Sequence, residues 1–311
     1  AGWKPALQWD PAYNDQMAQQ TTIVIVNWNG ERFLPNLLQS IRDSDASRTI
    51  VIDNESSDRS VEVLAGSAGI ELVRNKVNLG FGAAANQGIR MSSTPYVLIL
   101  NADIQALPAS IDLLEEFLEK QHDAAVAAPQ LLFPDKRIQP SCRSFPTING
   151  LFLYFSYLDH LFPSRYRWKE DQHGKNTETD QPMGAALMFR RSVLEQVGFF
   201  DERFFMYMEE VDLCKRIKDA GWKVYYCPEA KMIHDAGGST GQDWERSQRN
   251  FFESLIRYFH KHHATGVQTG MLKCTLAVAL FLRSIVLLFA GRLRQSKFFL
   301  GMSSGIFSIH G

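Results

Sequence analysis

Carboxylates, amides and one histidine recur where apolar runs end, and their types point to a nucleotide held through a metal. Asn101-Ala102-Asp103 directly follows the run Tyr96–Leu100. Alternate residues of an extended segment share a face, so Asn101 and Asp103 can address one divalent cation bridging two phosphates. His234, in a polar stretch running from Met232 to Ser239, would add a nitrogen to the oxygen of Asp103. With diphosphate completing the shell, that donor set suits Mn²⁺ or Mg²⁺. Glu209, Glu210 and Asp212 open a helical stretch whose Val211, Cys214 and Ile217 face a core. The helix dipole favours one or two acids there, yet does not explain three beside aromatic residues. Neighbouring helical residues diverge by about 100°, so one glutamate is expected in a cleft as a general base. The other is expected in a cap or a salt bridge, with Arg216 as partner.

Three further loops carry groups suited to a nucleotide. Val26-Asn27-Trp28-Asn29-Gly30 ends an apolar run with side chains that can flank a planar base and bond to it; a strand-to-helix turn with an amide cap is the structural alternative. Asp53 ends the next run and can accept from a uracil or thymine imide NH or from ribose, while Asp58 reads as a helix N-cap. In Asn78-Leu79-Gly80-Phe81-Gly82-Ala83-Ala84-Ala85-Asn86, the glycines let backbone approach a ligand, and the helix that follows offers free N–H groups to a diphosphate. Gly80, Gly82 and Ala85 also satisfy G-x-G-x-x-A, with Asp103 about 20 residues on, as in a dinucleotide site. That fingerprint belongs after a first strand, and here it follows a third.

The elements that must position these groups are legible as pattern. Thr22–Val26, Thr49–Ile52, Ile70–Val73 and Tyr96–Leu100 are short and uniformly apolar, which predicts parallel strands buried between helix layers. Phe33, Leu34, Leu37, Leu38 and Ile41 repeat at helical spacing between the first two. The chain thus reads as a doubly wound α/β domain with its ligand loops on one sheet edge. Leu107–Lys120 reads as a helix with Pro108 in its first turn. Residues 135–181 lack a period and read as a long loop region, with an acceptor-facing lid as one role. Beyond them the pattern predicts a strand at Gly184–Arg190, a helix at Glu209–Ala220, a strand at Lys223–Cys227 and a helix at Asp243–His263.

Charge is distributed unevenly. Residues 254–311 hold seven Lys or Arg and no Asp or Glu, leaving 26 basic against 34 acidic residues before them. A basic tail seeks an anionic partner, lipid headgroups or nucleic acid. Residues 271–294 are strongly apolar, but Lys273 and Arg283 interrupt them, and the uncharged run Cys274–Leu282 falls short of the roughly 18 residues a span needs. Interfacial placement with both basic heads reaching lipid phosphate is the expectation; a buried core helix is the alternative. The four cysteines lack zinc-site or disulfide spacing, which reads as a reducing compartment. Residues 1–20 lack the features of a secretory signal, and Trp3, Pro5, Trp9 and Pro11 in them form no pattern.

Taken in order, Val-Asn-Trp-Asn at 26–29, Asp53-Asn54-x-Ser56, Asn78-Leu79-Gly80-Phe81-Gly82, Leu100-Asn101-Ala102-Asp103, Glu209-Glu210-x-Asp212 and His234 resemble family 2 glycosyltransferases of the GT-A fold, in the bacterial rhamnosyltransferase-like branch. The resemblance covers roughly residues 20–260. It implies inverting sugar transfer, rhamnose first among candidates, from a dTDP- or UDP-sugar to a polyprenyl-diphosphate-linked or polysaccharide acceptor in cell-envelope glycan synthesis. It further implies donor contacts at Val26, Asn27, Trp28, Asn29, Asp53, Asn78, Gly82, Asn86, Asn101 and Ala102, and a divalent cation at Asp103 and His234. Glu210 is the implied base, with Glu209 the fallback, and Gly184, Ala185 and Asp212 lie on the acceptor side; apart from the resemblance, Trp244 and Arg246 are candidates to complete that pocket. Two positions depart from the family pattern: Asn101 stands where Asp is usual, and Glu210 where the acid pair usually ends in Asp. The implied division is an extension at 1–20, a transferase domain at 21–263 with halves at 21–134 and 135–263, and a membrane-associating tail at 264–311. The enzyme would then work at the cytoplasmic face of a membrane, against an anionic lipid surface and not nucleic acid. A catalytically silent nucleotide-sugar binder and an NAD-dependent oxidoreductase are the competing readings.

Overall fold

The computed structural model describes residues 20–42, 44, 46, 48–162, 166, 174–235, 244–263 and 266–309. In chain order the first half comprises β1 (Thr21–Asn27), α1 (Leu34–Ile41), β2 (Arg48–Asp53), α2 (Ser60–Ala65), β3 (Ile70–Arg74), α3 (Phe81–Met91), β4 (Tyr96–Asn101), β5 (Ile104–Ala106), α4 (Ser110–Lys120) and β6 (Ala124–Leu132). There follow β7 (Cys142–Arg143), α5 (Ile148–Phe155), β8 (Thr177–Glu178), β9 (Gln181–Pro182), β10 (Ala186–Arg190), α6 (Arg191–Val197), α7 (Glu209–Asp219), β11 (Lys223–His234), α8 (Trp244–His262), α9 (Gly266–Phe289) and α10 (Leu293–Gly305). The main sheet runs β3-β2-β1-β4-β10-β6-β11-β5. Its first four strands are parallel, and β10 enters antiparallel between β4 and β6.

Strand alternation explains the layering. Ile23 and Ile25 of β1 join α1 and α4 in one core, with Leu34, Leu37, Leu114 and Leu118. Val24 and Val26 face the other way and pack with α3, α6 and α7 through Ala84, Ile89, Leu194, Leu213 and Ile217. Both strand faces are dry, so the near-continuous apolar runs follow from the fold. Each such side chain contributes about 1.5–3 kcal/mol on full burial. A third core, rich in Phe and Tyr, joins α5, α8, α9 and α10 to Phe204, Met208 and Val211.

Several elements differ from the sequence reading. The helix expected from Leu107 starts at Ser110, because Ala109 is left-handed at φ 61° and Pro108 sits in the preceding turn. The supposed loop 135–181 contains α5, whose N-cap Thr147 accepts from Gly150 N at 3.1 Å. β11 does not stop at Cys227: its pairing with β6 shifts register between Cys227 and Lys231 and resumes. Pro228 lies in that irregularity, the place a strand tolerates a missing N–H, and the resumed strand pairs His234 with Ile104 of β5. The helix expected from Asp243 is described from Trp244, and residues 1–19 lie outside the described residues.

α9 is long and apolar enough to cross a membrane, with mean hydropathy 2.1 over its best window, a third of which is buried against the protein. Its two basic residues do not reach outward as expected from the sequence. Lys273 donates to the carbonyl of Ile309 at 2.6 Å, and the Arg283 guanidinium stacks inward 4.3 Å from the Tyr157 ring centre. The outward side of the α9–α10 hairpin carries Val267, Met271, Val278, Phe281, Val286, Phe289, Leu293 and Leu300, all exposed.

Candidate active site

A cleft of about 580 Å³ opens where β1 and β4 end and is closed by α7, α5 and the C-terminal helices. One wall is built from Val26, Trp28, Asn78, Gly80, Asn101 and Ala102. Asn54, fully buried, organises that wall: its amide donates to Asn78 Oδ1 at 2.8 Å and accepts from Leu79 N at 3.0 Å. Gly80 is required on two counts. Its φ is +86°, and a Cβ there would stand 2.3 Å from the Phe205 carbonyl oxygen. Phe81 N donates to the same oxygen at 3.0 Å, which ties the glycine loop to the turn before α7.

At the cleft floor, Asp103 and His234 meet. Oδ1 of Asp103 lies 3.5 Å from Nε2 of His234, and the backbones hold each other where Asp235 N donates to the Asp103 carbonyl at 3.1 Å. Nδ1 of His234 is 3.0 Å from Gln139 Oε1. An amide oxygen only accepts, so Nδ1 carries a proton, and in the neutral imidazole this leaves Nε2 as the atom able to bind a cation. An imidazole nitrogen and a carboxylate oxygen at this spacing form a donor pair that fits Mn²⁺ or Mg²⁺. Among the described residues no cluster of three His, Cys, Asp or Glu forms; phosphate oxygens would supply the rest of the shell.

Both Glu209 and Glu210 line the cleft, where the sequence led us to expect one. Tyr207 and Met208 adopt left-handed φ of 67° and 64°, so the chain turns sharply into α7 and the cleft wraps around the helix end. The 100° divergence then puts Glu209 against Gly82 and Glu210 against Gly184, where a Cβ would stand 3.2 Å from Glu210 Cγ. Each glutamate keeps one buried carboxyl oxygen without a hydrogen-bond partner. Burial pushes both carboxyl pKa values up, Glu209 further through the charge of its neighbour, while Arg143 offsets part of the rise at Glu210.

Comparison with known proteins fits this geometry. The family model described as glycosyl transferase family 2 matches residues 22–198. The chain belongs to glycosyl transferase family 2. It is 31% identical over 284 residues to an N-acetylglucosaminyl-diphospho-decaprenol L-rhamnosyltransferase of Mycobacterium tuberculosis, covering 86% of this chain and 91% of that protein. It is 27% identical to the rhamnosyltransferase WbbL of Escherichia coli, over 76% of this chain and 91% of that one. Among solved structures it resembles GalNAc-T7 with UDP, GalNAc and Mn²⁺, at TM-score 0.58 and 14% identity, over 93% of this chain and 57% of that one. The fold is GT-A and the chain is a glycosyltransferase.

Within this family 2 transferase, not every residue picked from the sequence reaches the cleft. Val26, Trp28, Asn78, Asn101, Ala102, Asp103, Gly184, Ala185, Glu209, Glu210, His234 and Trp244 do. Asn27 and Asp53 sit behind its wall, buried, with Asn27 Nδ2 donating to Asp53 Oδ1 at 2.8 Å. Asn29 accepts from Ser57 N at 2.7 Å, fastening the first loop to the second. Asp58 accepts from Ser60 N at 3.0 Å at the start of α2, and from Glu31 N. Gly82 packs on Phe200, and Asn86 spends its amide on Phe200 and Glu202. Asp212 points away from the cleft into an ion cluster with Lys261, His262 and Arg216; Arg216 is therefore not the partner of either glutamate. Arg246 is exposed on α8 and absent from the lining. Unforeseen lining residues are Arg143 of β7, Gln248 of α8 and Arg283, Arg292 and Gln295 of the C-terminal hairpin. The basic tail was a visible signal for the last group, read as reaching lipid phosphate, with a buried core helix as the alternative.

Proposed function

We propose that this enzyme is an inverting, metal-dependent transferase that moves a deoxyhexose, rhamnose first among candidates, from a dTDP- or UDP-sugar to a prenyl-diphosphate-linked glycan of the cell envelope. The observation that carries the reading is one cleft holding both an imidazole–carboxylate pair fit for a metal and two buried glutamates with unpaired oxygens. The relatives named above, which act as rhamnosyltransferases, support the donor and acceptor classes. The base would stack beside Trp28 and Val26, and Asn78 and Asn101 would contact ribose or phosphate.

In the reaction, Glu210 accepts the proton of an acceptor hydroxyl as that oxygen bonds to the anomeric carbon and the bond from that carbon to the diphosphate oxygen breaks. Asp103 and His234 would hold the cation, which neutralises the leaving diphosphate. Gly184 and Ala185 leave room for the acceptor sugar beside Glu210, and the charge of Arg143 favours the ionised form of Glu210 against the effect of burial. The exposed apolar side of α9 and α10 would rest peripherally in the cytoplasmic leaflet, bringing the cleft to a lipid-borne acceptor. Incubation with dTDP-rhamnose, UDP-GlcNAc or UDP-galactose, Mn²⁺ and a synthetic prenyl-diphospho-N-acetylglucosamine tests this. Glycosylated lipid with one donor in clear excess is expected; nucleotide binding without transfer to any acceptor lipid would overturn it in favour of a silent binder.

A further inference from the structure

Beyond the glutamates the cleft continues between α5, α8, α9 and α10, and its chemistry changes. Arg283 of α9 and Arg292 of the α9–α10 turn enter it together with Gln248 and Gln295. The Arg283 guanidinium lies over aromatic rings, 4.3 Å from the Tyr157 centre and 4.9 Å from that of Phe299. Its Nε is buried without a hydrogen-bond partner. Among the described residues no carboxylate lies within ion-pair distance of Arg283 or Arg292, although the neighbouring Arg294 is paired with Glu245 at 2.9 Å. Residues 254–311 contain no acid at all. A cation held in an aromatic setting with an unused donor is costly unless an anion completes it, and two guanidiniums with two amides match the many oxygens of a diphosphate.

On the transferase reading the donor's diphosphate would lie with Asp103 and His234, a different set of lining residues, so this anion is a second one. The same hairpin turns Val278, Phe281, Val286 and Phe289 outward as an exposed apolar surface, which gives a chain attached to that anion a path into lipid. We propose that Arg283 and Arg292 form the subsite for the diphosphate of the prenyl-linked acceptor, and that the hairpin thereby sets how far the acceptor sugar reaches toward Glu210. This rests on the transferase reading above and goes beyond it by assigning the acceptor's anionic group to two residues outside the family-matched segment.

The test is calorimetric titration of the full chain in neutral detergent with farnesyl diphosphate, with dTDP and Mn²⁺ saturating so that the donor's phosphate site is filled, and with farnesol as the uncharged control. Farnesyl diphosphate is expected to bind and farnesol not. Arg283→Gln and Arg292→Gln are each expected to weaken farnesyl diphosphate by about tenfold or more while dTDP affinity stays within about twofold. Arg283→Lys should recover only part of the loss, since a lysine cannot stack and chelate together. Arg292 is exposed, so its variant keeps the test open if Arg283→Gln does not fold. Farnesyl diphosphate binding unchanged in both Gln variants, or matched by farnesol, would overturn the proposal. Loss of dTDP binding in the unmodified protein would instead sink the transferase reading, so the two failures are distinct.

Discussion

Glu210 has a carboxyl oxygen buried without a hydrogen-bond partner, a neighbouring glutamate and a facing arginine, and these fix its expected behaviour. Burial raises its pKa and Arg143 lowers it. A base must be ionised, so kcat/KM should fall as pH drops through a value above the ordinary glutamate range. Replacing Arg143 with Gln removes the cation that favours the ionised form, and the acid limb of the pH profile should move to higher pH; a shift to lower pH would contradict the electrostatic role given to Arg143. Glu210→Gln should lower kcat by about 10²–10⁴-fold, the usual worth of a positioned base, with donor affinity retained. If Glu209→Gln proves the far more damaging change in steady-state rates, the two glutamates exchange roles. At this scale the sequence was informative for groups at strand ends, since the ends of parallel strands define a ligand edge whatever the rest of the chain does. It misled at Asn86 and Asp212, whose polar groups are consumed by Phe200 and Glu202 and by Lys261 and His262. A motif does not reveal such distant partners.

The elements owe their positions to a few polar ties as well as to apolar layers. Asp212, fully buried on α7, binds Lys261 and His262 at the end of α8 and Arg216 one turn on. Burial alone would raise its pKa, but hydrogen bonds from His262 and Lys261 and the charge of Arg216 hold it below the usual aspartate value. A depressed carboxylate stabilises the fold above its unfolded pKa, and that contribution fades as pH falls through the lower folded value. Asp212→Ala should cost roughly 1.5–3 kcal/mol at neutral pH by removing a buried, charged hydrogen-bond acceptor, since Lys261 keeps Asp201 and Arg216 keeps the carbonyls of Val197, Gly198 and Phe199. Urea unfolding at pH 7 measures it, and a loss below about 1 kcal/mol would place the cluster among weak surface pairs. The four parallel strands were legible because each is buried on both faces and so keeps an uninterrupted apolar run. α5 was not, because Pro, Ser and aromatic residues around it obscure a helical period. β11 was cut short at Pro228, where a bulge carries the strand onward to deliver His234.

The molecule as a whole joins a GT-A body to a helical hairpin that serves two surfaces. Inward, α9 and α10 share a core with α5 and α8 and supply Arg283, Arg292 and Gln295 to the cleft. Outward, they expose Phe281 and Phe289, 48% and 87% accessible. Composition showed the basic, apolar character of this segment but not the division of its residues between cleft and exterior, because that division depends on packing against α8. Replacing both phenylalanines with Ser should weaken partitioning onto phosphatidylglycerol vesicles by about tenfold or more, given the apolar area removed; unchanged sedimentation with vesicles would remove the hairpin as the membrane contact. The central claim is that Asp103 and His234 bind a nucleotide diphosphate through a divalent cation in a transferase cleft. Calorimetric titration with dTDP and UDP, with and without Mn²⁺, on the unmodified protein and on Asp103→Ala, tests it most directly. Metal-dependent binding of at least one nucleotide, lost in Asp103→Ala, is the predicted result; binding indifferent to metal and to that substitution would contradict it.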